Sequence, residues 1–243
     1  MISHILSASV ENLYKAFSRY SRPTRADVSP YAGIRDEDIQ RLTSRPLRQL
    51  EPNDVRAYTW HALTTWGDDR EFRHYLPRLF ELLTVASHWT DAALLVGKLH
   101  GEWERWPDEE RSAVLHFLDA LWDWALENSA DTISAGDVLQ GLGLADLDLD
   151  PFLERWHRAP SHASAAQLAY LVCLERSELL ASGSVSSYWH PKDRVQMSRF
   201  LLAPETRTKL EAAYLAEPND ESARDLADVV AALEIVAASH STE

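Results

Sequence analysis

The chain has one cysteine, two methionines, four lysines and eight glycines among 243 residues, and each scarcity excludes something. A single cysteine, Cys173, rules out an intrachain disulfide and a Cys-based metal cage. It lies in the apolar run LAYLVCLE, where a small buried thiol is expected rather than a nucleophile. A chain without disulfides fits a reducing compartment, so the cytoplasm is the expected location. No apolar run approaches the length of a membrane span, and no membrane partner is expected. The opening MISHILSASVENLYKAF lacks a basic start followed by a long apolar block, so it does not read as a signal peptide. The few glycines form no phosphate loop; Gly141-Leu-Gly143 is an isolated pair. There is no G-x-S-x-G, HExxH or paired Glu-x-x-His. No catalytic residue, metal site or cofactor is legible, and a non-enzymatic role is the expectation.

What the chain does have is acid, arginine and tryptophan. Net charge is −14, unevenly spread: residues 1–60 hold nine Lys or Arg against seven Asp or Glu, residues 61–243 fifteen against thirty-one. Such an acidic body repels nucleic acid and anionic membranes and favours a basic protein partner. Twenty arginines against four lysines, with abundant alanine, point to a GC-rich bacterial genome.

Apolar spacing is helical almost throughout. The organising stretch is 52–87, read as two helices hinged at Gly67. Val55, Tyr58, Ala62, Leu63 and Trp66 recur before the hinge, and Phe72, Tyr75, Leu76, Leu79, Phe80 and Leu83 after it. Gly67 suits the left-handed conformation that closes a helix, and Asp68 or Asp69 can cap the next. Pro77 sits inside that second helix, where a kink near Arg73 is expected. Further helices are predicted over 5–20, 36–43, 90–103, 107–127, 135–142, 151–158, 161–181, 191–202, 205–215 and 221–239. No segment alternates as a strand does. The class is therefore all-α, an array or irregular bundle of helical hairpins.

Trp66-Gly-Asp-Asp and Trp106-Pro-Asp-Glu stand forty residues apart, and Glu104-Arg105-Trp106 recurs as Glu154-Arg155-Trp156. That spacing is in the range of HEAT or armadillo helix pairs; a plain bundle using Trp to plug helix ends accounts for it as well. The expectation is a single all-α domain over 1–243, with a subdomain boundary in the Gly- and Asp-rich stretch 129–150. The run SGSVSS (182–187) reads as a flexible connection, and Tyr188-Trp189 beyond it is an interaction patch if exposed.

His116, Asp119 and Asp123 share a helix face, which a solvated polar surface explains without a metal. The densest polar and aromatic cluster is on the central hairpin: His61, Trp66, Arg70, Arg73 and His74. A groove opened there would bind a small anionic ligand or support enzymatic chemistry. A closed seam would pair the arginines with acids and the histidines with backbone, and closure is the favoured reading.

The segment TTWGDDREFRHYLPRLFELL (64–83), with LRQLEPNDVRAYTWHAL (47–63) before it and LLVGKL (94–99) after it, resembles a group of uncharacterised bacterial proteins. The resemblance covers roughly a quarter of the chain. It implies a shared helical fold and carries no catalytic or binding residue. Relatives can bear cysteines near 30–33, where this chain reads PYAG, so no metal role carries over. Together these features predict a cytoplasmic, non-enzymatic interaction scaffold with an acidic surface, the ligand-binding hairpin being the alternative.

Overall fold

The computed structural model describes residues 3–23, 27–85, 89–101, 103–216 and 231. Among the described residues the chain is all-α, with eleven α-helices, two single-turn 3-10 segments and no strand; the only extended pairings are the isolated bridges Val28–Trp66 and Ala62–Trp66. No described helix is long and apolar enough to cross a membrane. Spatial contacts divide the chain into two compact units, one of Met1–Trp124 with Leu144–Asp146, the other of Ala125–Gly143 with Leu147–Glu243.

In the first unit, α1 (His4–Ala16) begins where the Ser3 hydroxyl accepts the Leu6 N–H at 3.1 Å, one of the orphan donors of a helix start. It buries Leu6, Val10 and Leu13 but stops four residues short of the expected Tyr20. Helix α2 (Asp36–Thr43) has three acids in its first turn, favoured by the helix dipole. Helices α3 (Pro52–His61) and α4 (Asp69–Val85) form the central hairpin. α4 runs unbroken through Pro77, and Phe72, Tyr75, Leu76, Leu79, Phe80 and Leu83 on it are all at most 5% exposed. Phe80 stacks on Phe117 of α6 (Asp108–Glu127) at 5.0 Å.

Helix α5 is shorter than the spacing predicted. It covers only Ala92–Gly97, and its cap is Asp91, whose carboxylate accepts the Ala93 N–H at 2.7 Å, rather than Thr90. The chain then turns through Gly101 at φ +80°, a conformation that costs glycine nothing and ends the helical run. Trp103 begins a separate 3-10 turn, Trp103–Arg105.

The second unit holds α7 (Ala135–Leu144) as far as Gly143, α8 (Asp150–Arg158), α9 (His162–Ser182), α10 (Arg194–Leu202) and α11 (Pro204–Ala216). α9 is capped by the Ser161 hydroxyl at one end and by Gly183, at φ +66°, at the other. Gln167, 2% exposed, uses its whole amide: Nε2 donates to the carbonyls of Ala125, Asn128 and Ile133, and Oε1 accepts the Ala135 N–H. One side chain thus satisfies carbonyls at the end of α6 and a donor at the start of α7, groups that are costly to bury bare.

Trp66, Trp106 and Trp156 are all buried, at 1%, 3% and 0% exposure. Trp66 and Trp106 sit between helices, whereas Trp156 lies inside α8, where its Nε1–H donates to the Ser164 carbonyl at 2.9 Å. Two expectations are corrected here. Cys173 is exposed, because it falls on the outer face of α9, opposite the buried positions Leu171, Val172, Glu175 and Leu179. The run 182–187 is docked and not a free linker: Val185 is 3% exposed and its N–H donates to Ser198 Oγ at 2.9 Å. The predicted helix 221–239 lies outside the described residues.

Candidate functional site

The central hairpin is built around an abrupt helix stop. α3 ends at His61, five residues before the expected Trp66, because Ala62 leaves helical geometry and Leu63 takes φ +64°. The N–H groups of Thr64, Thr65 and Trp66 converge on the His61 carbonyl at 3.0–3.1 Å. Lys98 Nζ donates to the Ala62 carbonyl at 2.9 Å, a further anchor on the loop. Gly67, at φ +71°, donates its N–H to the Asp27 carbonyl at 2.7 Å, and Ser29 donates to the Thr65 carbonyl at 2.9 Å. Residues 27–29 are thereby laced to the loop. Asp68 Oδ1 accepts the Glu71 N–H at 2.8 Å and caps α4, as the sequence suggests.

The residue that this arrangement exposes to chemistry is Glu71. It is 6% exposed, packed so closely under Gly67 that a Cβ there would stand 2.7 Å from Glu71 Cδ. Its carboxyl lines a cavity of about 370 Å3 with Arg22, Asp27, Asp68 and Arg70. Burial, then the negative charges of Asp68 and Asp27, push Glu71 up to about 7. The Trp66 indole N–H lies near enough to favour the charged form but falls short of hydrogen-bond geometry. An ionised carboxyl without donors is costly to bury, so the neutral acid is favoured.

Around it the aromatic cluster carries further unmet polar atoms. Tyr58 meets Trp66 edge-on at 5.4 Å and Tyr75 at 4.8 Å, and His74 meets Tyr75 at 4.7 Å. Tyr58 Oη, Trp66 Nε1 and His74 Nε2 are buried without a hydrogen-bond partner. Burial pushes the Tyr58 hydroxyl well up, with Glu71, Tyr75 and Asp68 adding to it. Tyr75 is pushed up to about 12 by burial and then by Glu71, with Arg22 opposing. His74 Nδ1 sits 2.9 Å from the Tyr20 carbonyl, so it carries the proton and leaves Nε2 as a bare acceptor. Burial lowers the His74 pKa, the Tyr20 carbonyl opposes this, and Arg22 lowers it further.

The five residues singled out in the sequence fall into different surroundings. Trp66 is core and Arg70 is exposed at the cavity rim, with no hydrogen bond or ion pair among the described residues. His61 is half-buried, its Nδ1 2.9 Å from Thr65 Oγ1. Arg73 belongs to a separate network: it pairs with Asp69, donates to Tyr20 Oη at 2.7 Å, lies 3.4 Å from Glu110 Oε2 and sits over the Trp106 ring. His74 turns to the Tyr20 carbonyl. The residues missed are Tyr58 and Tyr75, counted only as core, and Glu71. Their signal was Glu71 standing at i, with Tyr75 and Leu79 at i+4 and i+8, an acid on the buried stripe. No group of three His, Cys, Asp or Glu able to hold a metal occurs among the described residues.

A second site lies on α9 in the other unit. Glu175, 3% exposed, accepts from Ser186 N at 2.6 Å, Ser186 Oγ at 3.0 Å and Trp189 Nε1 at 3.0 Å. This holds the 183–190 loop down and buries Trp189 to 1%. Tyr188, by contrast, stays 46% exposed, its hydroxyl donating to Asp137 at 2.9 Å. With Tyr170 at 49% and Leu174 at 61% exposure, it borders an apolar cavity of about 300 Å3 floored by Leu171 and Gly136. Comparison with protein families, with curated proteins and with solved structures yields no match.

Proposed function

We propose that this protein is a non-enzymatic helical interaction module whose acidic surface takes a basic segment of a protein partner, the Tyr170–Leu174–Tyr188 groove being the docking point. The observation that carries this reading is the exposure of three large apolar side chains around one cavity, on a rigid helix and a docked loop. Contiguous apolar surface with a polar rim marks interaction sites, and aromatic anchors on fixed backbone lose little entropy on binding. The partner is basic because residues 61–243 hold thirty-one acids against fifteen bases, and Asp137 stands at the groove itself. A partner segment with apolar anchors one helical turn apart and flanking Lys or Arg fits both features. Hairpins stacked as in HEAT or armadillo arrays form surfaces suited to such partners. A reducing cytoplasm is the proposed compartment, in keeping with an exposed lone thiol at Cys173. Nucleic acid is not a proposed partner, given the net charge of −14.

The alternative, an anion held by His61, Trp66, Arg70, Arg73 and His74, draws less support. Arg73 is already compensated by Asp69 and Glu110, and His74 by a backbone carbonyl. The test is affinity capture with wild-type protein and with Leu174→Glu, followed by titration of any recovered partner. A partner bound by the wild type and weakened at least ~30-fold by Leu174→Glu, about 2 kcal/mol, supports the reading. Equal binding by both proteins removes the groove from it.

A further inference from the structure

The cavity above Glu71 carries both signs of charge. Glu71, Asp68 and Asp27 line it, the two aspartates acting on Glu71 through their charge, and so do Arg22 and Arg70. Arg22 is held by the Thr43 and Arg45 carbonyls, and its charge is felt at His74 and Tyr75. Arg70 has no partner among the described residues. Glu71 is 6% exposed and lines the cavity, and the one protein donor near its carboxyl is the Trp66 indole, short of bonding geometry. A buried acceptor of this kind beside two further carboxylates calls for a donor that carries positive charge. A cleft of about 370 Å3 is within the size range of small-molecule sites.

We infer that this cavity binds a small zwitterion of the free amino-acid type, its ammonium group at Glu71, Asp68 and Asp27 and its carboxylate at Arg70. The ammonium supplies the donors Glu71 lacks, and Arg70 offers the planar fork that pairs with a carboxylate. A simple anion meets three carboxylates, and a simple cation leaves Arg70 unused. Proton release follows from the same geometry. The groups facing Glu71 are Asp27, Asp68, Tyr58 and Tyr75, so the incoming ammonium is what draws Glu71 into its charged form. Below neutral pH, binding therefore expels a proton, and the heat depends on the buffer. The inference is independent of the groove on α9.

The experiment is isothermal titration of the full chain at pH 7 with each of the twenty standard amino acids, then with the N-acetyl and carboxamide forms of the best binder. At least one amino acid is expected to bind with Kd below ~1 mM, and each blocked form to bind at least ~10-fold more weakly. In Glu71→Gln the free and N-acetyl forms should bind alike; in Arg70→Ala the acid and the amide should. Asp27→Asn serves as the second acidic variant if Glu71→Gln fails to fold, and should reduce the ammonium preference in part. No heat from any of the twenty at ~10 mM, or blocked forms that bind as well as the parent, would overturn the inference.

Discussion

Glu71 in the first unit and Glu175 in the second are buried to nearly the same degree, 6% and 3% exposed, and they do opposite things. Glu175 accepts from a backbone N–H, a hydroxyl and an indole, all from the loop it holds down. Glu71 has its own helix N–H bound by Asp68, but its carboxyl meets a nearby indole short of bonding and two negative charges. A buried acid with donors is structural, stiffening the Ser186–Trp189 loop into a platform for Tyr188. One whose only nearby donor falls short is pushed up to about 7 and held toward its neutral form, an acid that a cation would satisfy. Burial alone separates nothing; the inventory of donors does.

Removing Glu175 should have the largest effect. Glu175→Leu leaves the Trp189 indole N–H and the Ser186 N–H without their acceptor in a dry environment, at a cost of about 3–5 kcal/mol. Chemical denaturation reads the loss, and the Trp189 contribution to fluorescence should shift to the red as the loop lifts. A cost below ~1 kcal/mol would show that the three bonds do not hold the loop.

Glu71→Gln should act in the other direction, with a pH signature. Folding raises the Glu71 pKa from its ordinary 4.5 to about 7, so the fold prefers the protonated acid. That preference is fully present below pH ~4.5 and is lost as pH rises through ~7, a swing on the order of 3 kcal/mol. The neutral glutamine does not titrate. At pH 8 Glu71→Gln should therefore be more stable than wild type by up to ~3 kcal/mol, and at pH 4 within ~0.5 kcal/mol of it. Burial lowers the His74 pKa, so its contribution is full above the unfolded value and falls with acid. His74 is present in both proteins and cancels in the difference. Urea midpoints at the two pH values decide the matter, and a pH-independent difference would place Glu71 in an ordinary solvated setting.

Gly67→Ala probes how tightly Glu71 is confined. A left-handed φ of +71° costs an alanine ~1–2 kcal/mol, and the new methyl must also displace Glu71 Cδ at 2.7 Å. The expected loss is ~2 kcal/mol or more, falling to the backbone part alone in a Glu71→Ala background. Additive losses in the double variant would mean that the contact is not felt.

The sequence carried the helices and their inner faces well, because 3.6-residue spacing is local. The stripe Phe72, Tyr75, Leu76, Leu79, Phe80 and Leu83 is buried as read, and α2 keeps its expected bounds. Helix ends were less legible where distant groups set them: α3 stops at His61 in a loop laced to Asp27 and Ser29 and anchored by Lys98. Of the site, Trp66 and Arg70 were legible as polar and aromatic outliers. Glu71 and Glu175 were not, although both stand on a four-residue stripe, Glu71–Tyr75–Leu79 and Leu171–Glu175–Leu179. An acid at such a position announces a buried carboxyl, yet only the fold says whether donors reach it. Those donors come from Ser186 and Trp189, beyond the end of the same helix, and for Glu71 none arrives.

The smallest expected effect is the finest test of the contrast. Ser186→Ala deletes one of the three donors to Glu175, the hydroxyl at 3.0 Å, and leaves the Ser186 N–H at 2.6 Å and the Trp189 indole at 3.0 Å in place. A hydrogen bond to a charged group contributes about 1.5–3 kcal/mol when its loss strands a partner, and about 1 kcal/mol or less when other donors remain. The hydroxyl also accepts the Tyr188 N–H at 3.3 Å, a long bond on an exposed group that water replaces at little cost. The expected loss is therefore ~0.5–1.5 kcal/mol, with Trp189 still buried and its fluorescence unchanged. If Ser186→Ala instead costs as much as Glu175→Leu, the three donors act as one unit and Glu175 stands close to the unmet condition of Glu71. A small loss places it far from that condition, with donors to spare, and the difference between the two glutamates is one of kind.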